Sequence, residues 1–384
     1  MSHQKSKNQT LVSTLMQITT PGVAACLLAG ILGLSCFLTN SAHAAEINLL
    51  EQRSGISPKA AGLVQLSIAR AGNRLVSVGE RGVVLVSDDN GKNWRQSKVP
   101  VSVSLTGVAF VNDKSGWAIG HGGVVLATMD AGENWVKQLD GVRAAQLELD
   151  AAQAEAQGKT GSADAQRRLT EAQRLVDGGG DHPLLALHFF NPRRGLVVGA
   201  YGIAFGTEDG GQTWESLMGS LKAANGRHLY GIQAVGDSVV LVGEQGLVLK
   251  STDGGATFSK LAFPGKGTLF GAITSKANDA LLVYGLKGNA FRSADVGRTW
   301  EKVEMPPVSL MAGVRLTNGT LLLADESGQL HRSIDAGRHF EPLLVARPTV
   351  LADIEEASDG SVIGSGIRGS RPITWMQDNK KDKP

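Results

Sequence analysis

Cysteine is nearly missing from this 384-residue chain: Cys26 and Cys36 are the only two, and both fall in its first 44 residues. If that leader is removed, the mature chain has no disulfide, thiol nucleophile or thiolate metal site. An excess of one charge is missing too. Of 38 basic residues two, Lys5 and Lys7, lie in the leader, which has none of the 36 acidic ones, so 36 of each remain. Nucleic acid and anionic membrane surfaces need a basic field, and neither is an expected partner. Only Lys380-Lys381-Asp382-Lys383 is locally basic, and residues 379–384 read as a disordered tail. Also absent are H-E-x-x-H, paired Cys, a Walker-type loop and G-x-S-x-G, while the eight His are scattered without ligand spacing. No metal and no cofactor is implied. The 49 Gly follow no G-X-Y period, which excludes collagen, and abundant Leu, Val, Ile and Ala exclude a disordered chain.

No apolar run is long enough for a bilayer. The longest in the leader, residues 23–38, spans 16 residues, which at about 1.5 Å each falls short of a core of about 30 Å. With Lys5 and Lys7 ahead of it and Ala42-His43-Ala44 behind, it has the layout of a secretory signal over residues 1–44, cut before Ala45. The expected location is therefore outside the cytoplasm, in a periplasm.

What is present in quantity is a repeat. Six segments fit [S/T]-x-D-x-G-x-x-[W/F]: SDDNGKNW, TMDAGENW, TEDGGQTW, STDGGATF, SADVGRTW and SIDAGRHF. Their aspartates are Asp89, Asp130, Asp209, Asp253, Asp295 and Asp335, with steps of 41, 79, 44, 42 and 40. A glycine (Gly82, Gly123, Gly202, Gly246, Gly288, Gly328) stands seven residues before each Asp and ends a four-residue turn, G-x-x-G in five cases. A seventh such turn, Gly366-Ile367-Arg368-Gly369, has no box after it. Between these markers run short Val, Leu and Ile segments, four to a unit of about 40 residues, the pattern of a β-propeller blade. The expected fold is all-β, a seven-bladed propeller over residues 45–378.

The box aspartates are expected to serve the loop: Asp accepts backbone N–H bonds, Gly takes φ > 0 and the aromatic packs between blades. The last blade lacks its outer strand, and residues 46–52 (EINLLEQ) are the expected donor. The long step holds residues 140–181, rich in Ala, Gln, Glu and Arg, with Val142, Ala145, Leu149, Ala152 and Ala156 at helical spacing, a break at 158–161 and Ser162 as N-cap. This predicts an αα-hairpin inserted between blades two and three.

The G-x-x-G turns should ring one mouth of the channel. They present Glu80, Arg81, His121, Tyr201, Glu244, Lys287 and Arg368, with Arg227 on the same face, as candidate partner-binding residues. No catalytic residue is assigned.

The runs GERGVVLVSDDNGKNW, GHGGVVLATMDAGENW and GEQGLVLKSTDGGATF resemble the photosystem II stability/assembly factor family. The resemblance spans roughly residues 46–376 and implies a signal-bearing seven-bladed propeller without enzymatic activity, acting as an assembly factor with an Arg-rich patch on one face. Arg81, Arg368 and Arg227 are the positions here that match such a patch. It implies a protein partner, photosystem II-like or a membrane exporter complex, a monomeric scaffold, and the thylakoid lumen if the host is an oxygenic phototroph. The rival class is a sialidase-like glycoside hydrolase or carbohydrate-binding propeller, since sialidases carry the same boxes. Tyr201 with Glu244, or Glu80 with Glu326, would supply its groups, but no Arg-Ile-Pro occurs.

Overall fold

A computed structural model describes residues 48–275 and 280–376. The leader (1–44) and the tail (379–384) lie outside the described residues. The described chain is mostly β: six four-stranded antiparallel sheets and one three-stranded sheet follow one another in sequence. They span residues 65–96, 105–139, 184–216, 229–260, 269–302, 310–343 and 351–372, and are numbered one to seven below. Within each sheet, strands neighbour in chain order.

Burial follows from stacking. Second strands such as Gly116–Gly120 and Gly195–Gly199 are buried at every residue, and those of sheets one and four at every residue but the first, because both faces meet an adjacent sheet. The fourth strands are short and more exposed, as in Ser259–Lys260 and Glu301–Lys302. Apolar clusters therefore lie between sheets. Val76, Val78, Val84 and Val86 of sheet one pack on Leu105, Ala118, Leu126 and Trp135 of sheet two, and similar clusters fill the later gaps. The first strands touch in a closed series, Gln65–Ala71 of sheet one meeting Leu351–Glu356 of sheet seven. This is the arrangement of a β-propeller.

Closure does not use the N-terminal segment as expected. Sheet seven has three strands. The described part of that segment, residues 48–52, is a turn whose Leu49 carbonyl accepts from Ser102 N at 2.8 Å and whose Leu50 packs on the cluster between sheets one and two. The gap between sheets seven and one has instead a small apolar cluster, Ile68, Leu75, Ala357 and Ile363. Beside it lies a knot of buried hydroxyls: Ser77 Oγ is 2.7 Å from Ser370 Oγ, which is 2.6 Å from Ser365 Oγ. Asp353 adds a cross-seam clasp, accepting from Ser67 Oγ at 2.8 Å and Ile68 N at 3.1 Å. Side chains join the seam, so no extra strand is needed there.

Two helices follow the fourth strand of sheet two: α1 (Gly141–Gly158) and α2 (Ala163–Asp177). Asp140 caps α1 by accepting from Arg143 N, and Ser162 caps α2 by accepting from Ala165 N. Leu149, Ala152 and Ala172 form the hairpin's own core. Small residues seat it on the sheets: a Cβ on Gly123 would lie 2.7 Å from Gly141 Cα. Ala144 joins the cluster between sheets two and three.

Candidate partner-binding face

Five of the seven turns joining second to third strands share one geometry. Arg81, Tyr201, Gln245 and Lys287 sit at φ 54–56, each followed by a Gly also at positive φ. Two successive left-handed residues make the tight turn that suits twisted strands, and the first of the two carries its side chain outward. Arg81, Tyr201, Gln245 and Lys287 are all exposed, as are His121 and Arg368 in the corresponding turns. The sixth turn replaces its first Gly by Asp325, whose buried carboxylate accepts from Ser327 N, Gln329 N and His331 Nε2 at 2.8–3.1 Å.

The acidic candidates behave differently from the basic ones. Glu80 Oε1 accepts from Val64 N at 3.2 Å, and Glu244 Oε2 accepts from His228 N at 2.9 Å. Each carboxylate thus holds the backbone just before the first strand of its own sheet. Arg227 donates to Gln245 Oε1 at 3.2 Å and to the Ala224 carbonyl. Among the described residues, no carboxylate pairs with Arg81, Arg227, Lys287 or Arg368, while Arg74, Arg95 and Arg168 each hold two.

Tyr201 anchors an arc of rings that sequence reasoning saw only in part. His182 lies 4.8 Å from Tyr201, Tyr201 4.6 Å from His228, His228 6.0 Å from Tyr230, and Tyr230 5.8 Å from Phe270, centroid to centroid. Burial lowers the pKa of His182, and Asp181 and His228 act on it in opposite senses. The missed residues had a signal. Tyr230 and Phe270 both follow the Leu that begins the first strand, as Thr106 and Met311 do in other units. That position faces the central channel, a cavity of ≈ 320 Å³ lined by the first strands of all seven sheets.

The box aspartates are occupied by their own loops. In all six, a Ser or Thr hydroxyl donates to Oδ1 at 2.6–2.9 Å. The backbone N–H four residues on donates to the same oxygen at 2.8–3.0 Å. That hydroxyl in turn accepts from the box glycine N–H at 2.7–3.0 Å. The bonds from Asn93 and Ser87 hold Asp89 down at about 2, and those from Thr213 do the same for Asp209. No group of His, Cys, Asp or Glu able to hold a metal ion occurs among the described residues.

The family model described as Photosynthesis system II assembly factor YCF48 matches residues 37–129 and 169–384. The chain belongs to this family. No curated protein matches it. Among solved structures, it is similar to one described as YCF48 bound to D1 peptide, at 13% identity and TM-score 0.59 over 85% of this chain and 95% of that one. It is also similar to YCF48 from Cyanidioschyzon merolae, at 15% identity and TM-score 0.56, over 85% and 99%. The WD40 β-propeller domain of Doa1 superposes with TM-score 0.58 at 10% identity, over 86% and 97%. At such identities the structural likeness speaks for the propeller fold alone.

Proposed function

We propose that this YCF48-family chain is an exported, non-enzymatic scaffold, a seven-bladed propeller that holds a protein partner on the face formed by the second-to-third strand turns. The observation that carries the reading is the asymmetry between charges. Arg81, Arg227, Lys287 and Arg368 have no carboxylate partner among the described residues, whereas Glu80 and Glu244 of the same face are tied to backbone N–H groups. Such a face offers unneutralised cations and an aromatic arc to an acidic peptide. The YCF48 structure holding a D1 peptide makes a photosystem II-type membrane subunit the first partner to test. The leader, if cleaved before Ala45, delivers the chain to the periplasm or, in an oxygenic phototroph, the thylakoid lumen.

The sialidase-like reading draws no support from the geometry. Glu244 is engaged by His228 N, and Tyr201 contacts two imidazoles instead of an acid.

Isothermal titration of residues 45–384 with a synthetic D1 peptide tests the proposal. Binding should weaken by at least about tenfold in Arg81→Glu/Arg368→Glu, because charge-assisted bonds are lost and repulsion replaces them. Absent binding, or equal binding by a double variant with unchanged melting, would remove the assignment.

A further inference from the structure

The central channel holds two polar groups that the turn face does not use. Each first strand is the inner edge of its sheet, so the cavity of ≈ 320 Å³ is walled by strand edges and a few side chains. Leu66, Leu185 and Met311 make part of that wall apolar, and Asp353 is the one charged residue lining it. Tyr230 and Phe270 of the arc of rings border the same cavity. The site described below uses neither of them and does not rest on the reading of the face.

The Asp353 carboxylate is only partly satisfied. Its Oδ2 accepts from Ser67 Oγ and Ile68 N, and its Oδ1 accepts from Ile354 N at 2.9 Å. A carboxylate has about four acceptor positions, which leaves capacity for a further donor. No cation pairs with it among the described residues, and burial raises it to about 6. An enclosed carboxylate without a counter-ion is costly.

The second group arrives from behind the first strands. Tyr284 belongs to the second strand of sheet five, Leu281–Gly285, yet it lines the channel. Glycines of two first strands clear its path: a Cβ on Gly271 would strike its hydroxyl oxygen, and one on Gly313 would lie 2.9 Å from its ring. Tyr284 is 5% exposed, and its hydroxyl has no hydrogen-bond partner among the described residues. Burial, and after it the Asp353 charge, raise this phenol above its ordinary range. A buried phenol ordinarily has a partner, and the cavity is where this one can find it.

We propose that the channel binds a small primary amine in its ammonium form, the head donating to the Asp353 carboxylate and the Tyr284 hydroxyl oxygen and the aliphatic body lying along Leu66, Leu185 and Met311. An ammonium carries three N–H donors and no acceptor, and carbonyls on the strand edges can take the third. A single carboxylate matches a single positive charge. An anion would be repelled by Asp353, and a neutral alcohol would leave its charge uncompensated.

Titration of 15N-labelled residues 45–384 with n-hexylamine at pH 8, followed by amide chemical shifts, tests the site; the amine is an ammonium there, as a Lys side chain is. Amides of the first strands, Ile68 and Ile354 among them, should shift, while those of α1, α2 and the boxes stay in place. n-Hexanol, the same body without the charge, should bind at least about tenfold more weakly. Affinity for the amine should fall at least about tenfold in Asp353→Asn and about threefold in Tyr284→Phe. The second variant removes an oxygen without a partner and should melt like the parent. Arg81→Glu/Arg368→Glu should leave amine binding unchanged, and Tyr284→Phe should leave D1-peptide binding unchanged, so either reading can fail alone. Absent shifts, equal affinity for the alcohol, shifts confined to the outer surface, or parent-like affinity in either folded variant would overturn the inference. If Asp353→Asn does not fold, Tyr284→Phe and the alcohol decide it.

Discussion

At the residue scale, the boxes show how one short motif solves a loop. The Asp collects a hydroxyl and an N–H, and the two residues after it both take positive φ. In two boxes the first of these is Gly (Gly210, Gly254), but in the fifth it is Val296 at φ 55. A β-branched side chain in the left-handed region is strained by roughly 1–2 kcal/mol. Val296→Gly should therefore raise stability by about 1 kcal/mol in a urea titration, against the usual penalty for added glycine. A lower midpoint would mean the loop depends on the valine side chain. Asp295→Ala should act oppositely, lowering the melting temperature by removing the acceptor for Ser293 Oγ and Thr299 N. An unchanged melt would take from the box its structural role.

At the element scale, the hairpin is bound to the sheets by more than its Ala-rich core. Glu148 is 1% exposed, and its charge is met by Arg168 and Ser216. Removing one member of a buried ion pair leaves an uncompensated charge, at a cost of about 3 kcal/mol. In Arg168→Met, hydrogen exchange of α1 and α2 should speed up while the second strands of the sheets keep their protection. Equal protection of the helices would show that apolar contacts alone hold them. The helical periodicity and Ser162 were legible in the sequence. The pairing of Arg168 with Glu148 and Glu155, residues apart on two helices, was not, because it depends on how the hairpin folds back and where it lands.

At the scale of the whole molecule, stability should be greatest in mild acid. Burial raises Asp353 to about 6 and Glu355 to about 7, the latter also repelled by Asp353. The folded chain thus holds more protons than the unfolded one between the ordinary carboxylate range and pH 7, and stability falls as pH rises through that window. The box aspartates work the other way. Hydrogen bonds depress Asp89 and Asp209 to about 2, so their contribution is present above pH 4 and is lost as pH falls toward 2. Melting temperature should peak near pH 4–5 and decline toward pH 8, with a shallower alkaline limb in Asp353→Asn. A flat profile above pH 5 would place both carboxyls in contact with water. The bonds by which Asp353 clasps sheet seven to sheet one favour its ionised form, so they offset part of the burial that drives the alkaline weakening.

The repeat by itself determined the propeller and the places where the chain turns, because strand patterning, left-handed glycines and self-contained loops are local properties written within a few residues. It also put the second-to-third strand turns at exposed positions. Tertiary structure alone decided how the ring is joined: residues 48–52 lie against sheets one and two, and a serine knot with Asp353 holds the seam, since contacts between residues nearly 300 positions apart leave no periodic trace. It decided, too, which charges on the face are available. Glu80 and Arg81 are neighbours in the chain, yet one turns inward to a backbone N–H and the other outward, a difference set by the path of the strand that arrives beside them.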